Sequence, residues 1–282
     1  GDAVQVKHQV TVGDAVISLA GPANKQGRIV ADVICGLDSR YQGSLSSSVI
    51  KVFDLTAAST GLSVKAACAA GIDCESVVLS PGSHAGYYPG ATPMTMKVVF
   101  EREALRLLGA QIVGVDGVDK RIDVLATAIQ AGIRADKLKD LDLAYAPPYS
   151  SAKDPVNMAG FMIENVGSGI LKQWHWEQEP DLPRDGSVQL LDVRTVAEYG
   201  RGHIDGFMNI PVDDLRDRLG ELDVAKPVYV ICQSGLRSYI ACRILAQHGF
   251  DCYNFSGGYR FFAAVTKDHR GSDNVMPCGL EK

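Results

Sequence analysis

Cys232, Gln233, Ser234, Gly235, Leu236, Arg237 and Ser238 form the stretch whose residue types and spacing point most directly to chemistry. An apolar run, Val228-Tyr229-Val230-Ile231, precedes it, and a helix-patterned stretch from Leu236 to His248 follows. A cysteine where a strand ends and a helix begins meets the unpaired backbone N–H groups of the connecting loop. It also meets the positive end of the helix dipole. Both favour thiolate over thiol, and the guanidinium of Arg237, five residues on, acts in the same direction. Cys232 is therefore expected to be a nucleophile near neutral pH, cradled by Gln233, Ser234, Gly235, Leu236 and Ser238. The competing reading is a buried structural cysteine. A core position has no need of a glycine and two hydroxyls around it, so Gly235, Ser234 and Ser238 favour the catalytic reading.

The other cysteines offer no comparable pattern. There are seven, at 35, 68, 74, 232, 242, 252 and 278, with no CxxC pair, so neither a zinc ribbon nor a thioredoxin-type dithiol is indicated. No metal is expected. Cys35, Cys68 and Cys242 fall in helix-patterned segments and Cys252 opens a short strand, which suggests structural roles. Cys278 lies in a polar tail and reads as incidental. This usage fits a reduced, cytoplasmic protein. A hydrophobic fraction of 46% with 22% charged residues is ordinary globular composition, and 282 residues suit two domains. A net charge of -5 without a basic, aromatic-laced patch argues against nucleic acid. No apolar run reaches the ~18 residues of a membrane span, and the first residues lack a signal-peptide pattern.

The elements that must position Cys232 belong to an alternation of short apolar strands with helices, the pattern of an α/β parallel sheet. Strands are expected at Val188–Val193, Val228–Cys232 and Cys252–Phe255, with helices at Val196–Gly202 and Leu236–His248. Ligands of such sheets bind at the carboxyl ends of strands, where Cys232 falls. Residues 174–186, rich in proline and charge, read as a linker, and residues 267–282 as a mobile tail. Before the linker the pattern is α+β. A helix is expected over Asn24–Cys35, ended by Gly36, and strands at Val49–Phe53, Glu75–Leu79, Met94–Phe100 and Leu105–Val115, the last two as antiparallel neighbours. Small helical pieces broken by Gly61 are expected over Ala57–Ala70, and helices over Lys120–Ala131 and Asp154–Leu171.

Residues 187–266 resemble the rhodanese family. The matching pieces are Leu191-Asp192-Val193-Arg194, Glu198-Tyr199, Gly202-His203-Ile204-Asp205-Gly206, Asn209-Ile210-Pro211, the Cys232 loop and Phe255-Ser256-Gly257-Gly258. The resemblance implies a Cys232 persulfide, loaded by a sulfane-sulfur donor and discharged to a thiol or cyanide. Related phosphatases place five residues between cysteine and arginine; here there are four, Gln233 to Leu236, as in the smaller sulfur-transferring loop. A small phosphatase is therefore the minor reading. Asp192 and Arg194 are expected to pair, and His203 to be a hydrogen-bonded turn residue.

The first part resembles the C-terminal portion of the pyridine nucleotide-disulfide reductases, in particular the coenzyme A-disulfide reductase branch. The resemblance rests on Gly1-Asp2, on Leu19-Ala20-Gly21-Pro22-Ala23-Asn24-Lys25-Gln26-Gly27-Arg28, on His84-Ala85-Gly86-Tyr87-Tyr88-Pro89-Gly90, on Leu143-Ala144-Tyr145-Ala146-Pro147-Pro148-Tyr149-Ser150 and on Lys153-Asp154-Pro155-Val156-Asn157. It implies that residues 1–47 are the remnant of an FAD-binding domain and 48–173 a dimerisation domain. By the same resemblance, Gly1, Asp2, Leu19 and Ala20 face the parent's FAD, and Tyr87 and Tyr145 reach a partner's active site. Asn24 and Lys153 correspond to coenzyme A-binding positions.

The chain starts without a methionine and without a GxGxxG motif, so it reads as a fragment that binds neither FAD nor NAD(P)H by itself, although the intact parent uses both. The expected partners are small sulfur donors, thiol acceptors including coenzyme A, and a second copy of the chain. A non-catalytic sulfur carrier joined to a dimerisation platform is the alternative.

Overall fold

Strand patterns in the first half assemble into one antiparallel sheet. The computed structural model describes residues 1–271; they divide into a unit from Gly1 to Gly167 and a second beginning at Ser168. In the first unit a hairpin of β1 (Gln5–Lys7) and β2 (Asp14–Val16) leads into α1 (Ala20–Ile34). There follow β3 (Ser48–Val52), β4 (Leu55–Gly61), α2 (Val64–Ala69), β5 (Cys74–Leu79), β6 (Met94–Glu101) and β7 (Leu107–Gly114). Helices α3 (Val118–Gln130) and α4 (Pro155–Gly167) complete the unit. The sheet runs β3-β4-β7-β6-β5, with every pairing antiparallel.

Both faces of the central strands are covered. Met96, Val98 and Phe100 of β6 pack on Ile122 and Leu125 of α3 and on Val156 and Ile163 of α4. On the other face Val99 and Leu108 meet Val10, Leu45, Leu62 and Ala67. The expected helical pieces over Ala57–Ala70 are in part a strand, β4, and only Val64–Ala69 is helical. Two glycines explain this. A Cβ on Gly61, whose φ is +66°, would lie 2.2 Å from the Leu108 carbonyl oxygen, and one on Gly109 would lie 2.3 Å from that of Leu62. The close β4–β7 approach that they permit overrides the helix preference of the alanines. Outside this core, α1 buries none of its residues. Val49, Ile50, Val52 and Phe53 on and beside β3 are exposed, Phe53 at 93%.

The second unit is built on a parallel sheet. Its elements are β8 (Lys172–Trp174), β9 (Gln189–Asp192), α5 (Val196–Gly200), β10 (Met208–Asn209), β11 (Val228–Ile231), α6 (Leu236–Gln247), β12 (Cys252–Phe255) and α7 (Gly258–Gly271). The strand order is β10-β9-β11-β12-β8, all parallel. Cys252 touches Cys242 of α6, whereas Phe255, three residues on, meets Phe262 of α7. Residues three apart on a strand face opposite ways, so the two helices cover opposite faces.

One expectation is corrected here. Residues 174–186 are not a free linker: Trp174 closes β8, is fully buried against Phe207, Tyr229 and Phe255, and donates its Nε1–H to the Val230 carbonyl at 3.3 Å. Leu182 joins the same core. The proline and charges belong to a partly exposed 3₁₀ turn, Trp176–Asp181, laid over that core. Residues 267–271, the first of the stretch read as a mobile tail, belong to α7, which continues to Gly271. The remainder, with Cys278, lies outside the described residues.

Candidate active site

Cys232 follows directly on β11 and is completely buried. Its Sγ accepts a hydrogen bond from the Gly235 N–H at 3.1 Å and another from the Ser238 hydroxyl at 3.2 Å. Gly235 has φ +101°, a conformation that favours glycine, and it forms the N-cap of α6. The sulfur thus sits at the amino end of a twelve-residue helix, where negative charge is favoured. A second glycine supports the loop from behind. A Cβ on Gly258 would come within 2.5 Å of the Ser234 nitrogen. The first turn of α7 donates Tyr259 N–H to the Cys232 carbonyl at 2.7 Å and Arg260 N–H to that of Gln233 at 3.1 Å. Leu236 stands exposed at the rim, with Gln233 and Ser234 half-buried beside it.

Arg237 does not spend its donors on the sulfur. Its two terminal nitrogens each donate to a Glu198 carboxylate oxygen at 2.7 Å, a bidentate pair across the cradle. Arg237 holds the Glu198 carboxyl down at about 2, with the Thr195 N–H and hydroxyl adding to the effect. Arg237 is raised in turn, first by Glu198 and to a smaller extent, through space, by Cys232. A carboxylate in fork geometry is a stronger partner for guanidinium than a sulfur, which explains the choice. In the sequence Glu198 shows only as part of the Glu198-Tyr199 piece; its part in the cradle comes from the fold. Thr195-x-x-Glu198 is a capping-box pattern, and both of its hydrogen bonds form.

Asp192 and Arg194 make the expected pair, fully buried, with contacts of 2.7 to 3.0 Å. Arg194 also donates to the Gly202 carbonyl at 2.8 Å, reaches the Gln233 side chain at 3.4 Å and lies 4.0 Å from the Tyr259 ring centre. It therefore ties the β9–α5 loop to the cradle. His203 pairs its Nδ1 with the Tyr199 carbonyl at 3.1 Å and stacks on that ring.

In the first unit the hydroxyls of Tyr87 and Tyr145 meet at 2.9 Å, both side chains exposed. The hydrogen bond between them raises Tyr145 above the usual phenol range. Their loops are fixed by Arg121, nearly wholly buried, which donates to Asp154 at 3.0 Å, to the Ser83 carbonyl at 3.0 Å and to Ser150 Oγ at 3.1 Å. Ala85 N–H to Ser150 O, at 2.9 Å, joins the two loops directly. Tyr145, Tyr149 and Lys120 line a cavity of about 500 Å³. Gly1 and Asp2 are exposed; the Asp2 carbonyl accepts from Ser18 Oγ at 3.1 Å, just before Leu19 and Ala20 at the start of α1. No side chain caps that helix end. Asn24 on α1 and Lys153 before α4 are exposed positions on separate elements. Among the described residues no group of three or more His, Cys, Asp or Glu could hold a metal, and no helix is long and apolar enough to cross a membrane.

Comparison with known proteins matches each unit. The pyridine nucleotide-disulphide oxidoreductase dimerisation domain covers residues 47–155, and the rhodanese-like domain covers residues 178–264. The crystal structure of reduced Bacillus anthracis CoADR-RHD is 47% identical with a TM-score of 0.91, over 95% of this chain and 48% of that one. An NAD-dependent persulfide reductase from A. fulgidus is 39% identical with a TM-score of 0.83, over 92% and 46% of the two chains. Coenzyme A disulfide reductase of Staphylococcus epidermidis is 37% identical over 165 residues, 58% of this chain and 37% of that protein. The chain thus spans less than half the length of each of these relatives.

Proposed function

This chain carries the dimerisation domain of a pyridine nucleotide-disulphide oxidoreductase joined to a rhodanese-like domain, and from that we infer a sulfur-transferring module of a coenzyme A disulfide or persulfide reductase. The observation that carries this reading is the Cys232 sulfur, held by the Gly235 N–H and the Ser238 hydroxyl at the head of α6. Such a site stabilises an anion on sulfur before and after transfer. In the loading step the Cys232 thiolate attacks the sulfane sulfur of a donor R–S–SH. The S–S bond breaks, RS⁻ leaves and takes up a proton, and Cys232 holds the outer sulfur as a persulfide. In the discharge step an acceptor thiolate attacks that outer sulfur and Cys232 leaves as thiolate. Ser238 and Gly235 keep their hydrogen bonds to the inner sulfur throughout, so little reorganisation accompanies either step.

In the whole enzyme the acceptor would be coenzyme A, whose persulfide would then be the substrate for reduction. A bound FAD, with NAD(P)H as its reductant, would supply the electrons for cleaving a disulfide or persulfide. Gly1, Asp2, Leu19 and Ala20 are assigned to one edge of the flavin; the contact between Ser18 and Asp2 beside the uncapped start of α1 suits that edge. Tyr87 and Tyr145, hydrogen-bonded to each other, are assigned to the departing thiolate, and Asn24 and Lys153 to coenzyme A. Homodimerisation through the first unit is supported by the apolar residues exposed along β3, since contiguous exposed apolar surface marks an interface.

The test is transfer from polysulfide-loaded protein to free coenzyme A, followed by coenzyme A persulfide formation. Wild type is expected to transfer and Cys232→Ala to be inert. Equal transfer by the two would refute the reading, and phosphate release from an aryl phosphate that disappears in Cys232→Ser would replace it with phosphatase chemistry.

A further inference from the structure

Cys68 was expected to be structural, yet its sulfur lies 4.0 Å from that of Cys74. Cys68 is on the last turn of α2 and exposed; Cys74 opens β5 and is half-buried. Gly71, at φ +72°, turns the chain between them, and the Ile72 N–H returns to the Ala67 carbonyl at 3.0 Å. The backbone therefore fixes the two thiols side by side. A disulfide needs sulfurs at about 2.05 Å, so closure asks for a shift of roughly 2 Å in two side chains at the protein surface.

We propose that Cys68 and Cys74 form a reversible dithiol–disulfide site that reacts with low-molecular-weight disulfides, Cys68 as the attacking sulfur and Cys74 as the resolving one. The site is separate from the Cys232 cradle and does not depend on the function inferred for it. The roles follow from exposure and charge. Cys74 lies between Asp73 and Glu75 in sequence and opposite Glu101 in register, and Arg102 bridges Asp73 and Glu75 and donates to the Cys74 carbonyl at 3.3 Å. Burial first, then Cys68 and the flanking carboxylates, push the Cys74 thiol up to about 11. The exposed Cys68 is the sulfur that a small oxidant reaches.

In the first step the Cys68 thiolate attacks one sulfur of R–S–S–R. The S–S bond breaks, one RS⁻ leaves and is protonated, and Cys68 carries a mixed disulfide. Cys74 then loses its proton to water and attacks the Cys68 sulfur, and the second RS⁻ leaves. Two cysteine thiols are oxidised by two electrons while the small disulfide is reduced to two thiols. Because the second step needs the Cys74 thiolate, its rate is expected to rise about tenfold per pH unit below 11.

Glutathione disulfide is a suitable probe, with trapping by an alkylating agent and peptide mass mapping of the full chain. Wild type should yield a Cys68–Cys74 disulfide peptide that dithiothreitol reverses. Cys74→Ser should accumulate a stable glutathionyl adduct on Cys68, and Cys68→Ser should leave Cys74 reduced. Persistence of the Cys68 adduct in wild type at alkaline pH, or full alkylation of both thiols after oxidation, would overturn the proposal. Cys232→Ser is the control background; loss of the disulfide there would show that oxidation of the pair depends on Cys232, and would overturn direct attack by Cys68.

Discussion

Glu198→Gln removes one charge from the cradle while keeping its shape, and its consequences can be worked through. The Glu198 carboxyl falls from the usual 4.5 to about 2, chiefly because Arg237 donates two hydrogen bonds to it. Taken at face value this drop corresponds to about 3 kcal/mol. The two side chains are 29% and 27% exposed, and solvent screening reduces the figure to about 1–2 kcal/mol. Since folding lowers this carboxyl's pKa, its contribution is complete above about 4.5 and is lost as the pH falls towards about 2. Both tryptophans, Trp174 and Trp176, lie in the second unit, so urea unfolding followed by their fluorescence reports on the unit that holds the cradle. The variant should unfold at lower urea than wild type at neutral pH, and the gap should close in acid. Freed from its carboxylate, Arg237 adds a net positive charge beside Cys232, so KM for the dianion thiosulfate should fall severalfold relative to a persulfide donor. Equal unfolding midpoints at neutral pH, or a gap that survives unchanged near pH 2, would refute the reasoning about the pair.

Three further outcomes follow from the packing. Asp154→Ala leaves Arg121 buried without its carboxylate, and should destabilise the first unit by about 3–5 kcal/mol, measured by calorimetry. Gly258→Ala forces a Cβ to 2.5 Å from the Ser234 nitrogen at a φ of +71°, so sulfur transfer should fall at least tenfold while secondary structure by circular dichroism is retained. Tyr87→Phe removes the partner that raises Tyr145, so the Tyr145 phenol should titrate at lower pH than in wild type, followed by phenolate absorbance.

Much of the site was legible because local sequence encodes it. An apolar strand, a glycine that can take positive φ and a helix start are properties of residues 228–248 alone, and they bring Cys232, Gly235 and Ser238 together. The partner of Arg237 was not legible, because Glu198 is thirty-nine positions away and charge alone does not say which carboxylate meets which guanidinium. The same limit applies to Gly258, whose role is to let α7 approach the cradle. In the fold, the strands over Met94–Phe100 and Leu105–Val115 show in their apolar runs, whereas β4 hides in alanine, serine and threonine and is set by its neighbour β7. Trp174 was lost among prolines and charges, although one buried indole outweighs them in positioning that segment.

The central claim is that Cys232 carries sulfane sulfur, and intact-protein mass spectrometry with peptide mapping after polysulfide treatment tests it most directly. A single added sulfur confined to the Cys232 peptide, removed by free coenzyme A and absent in Cys232→Ser, is the predicted result. An unmodified Cys232 peptide, or an adduct that survives excess thiol, would contradict the account.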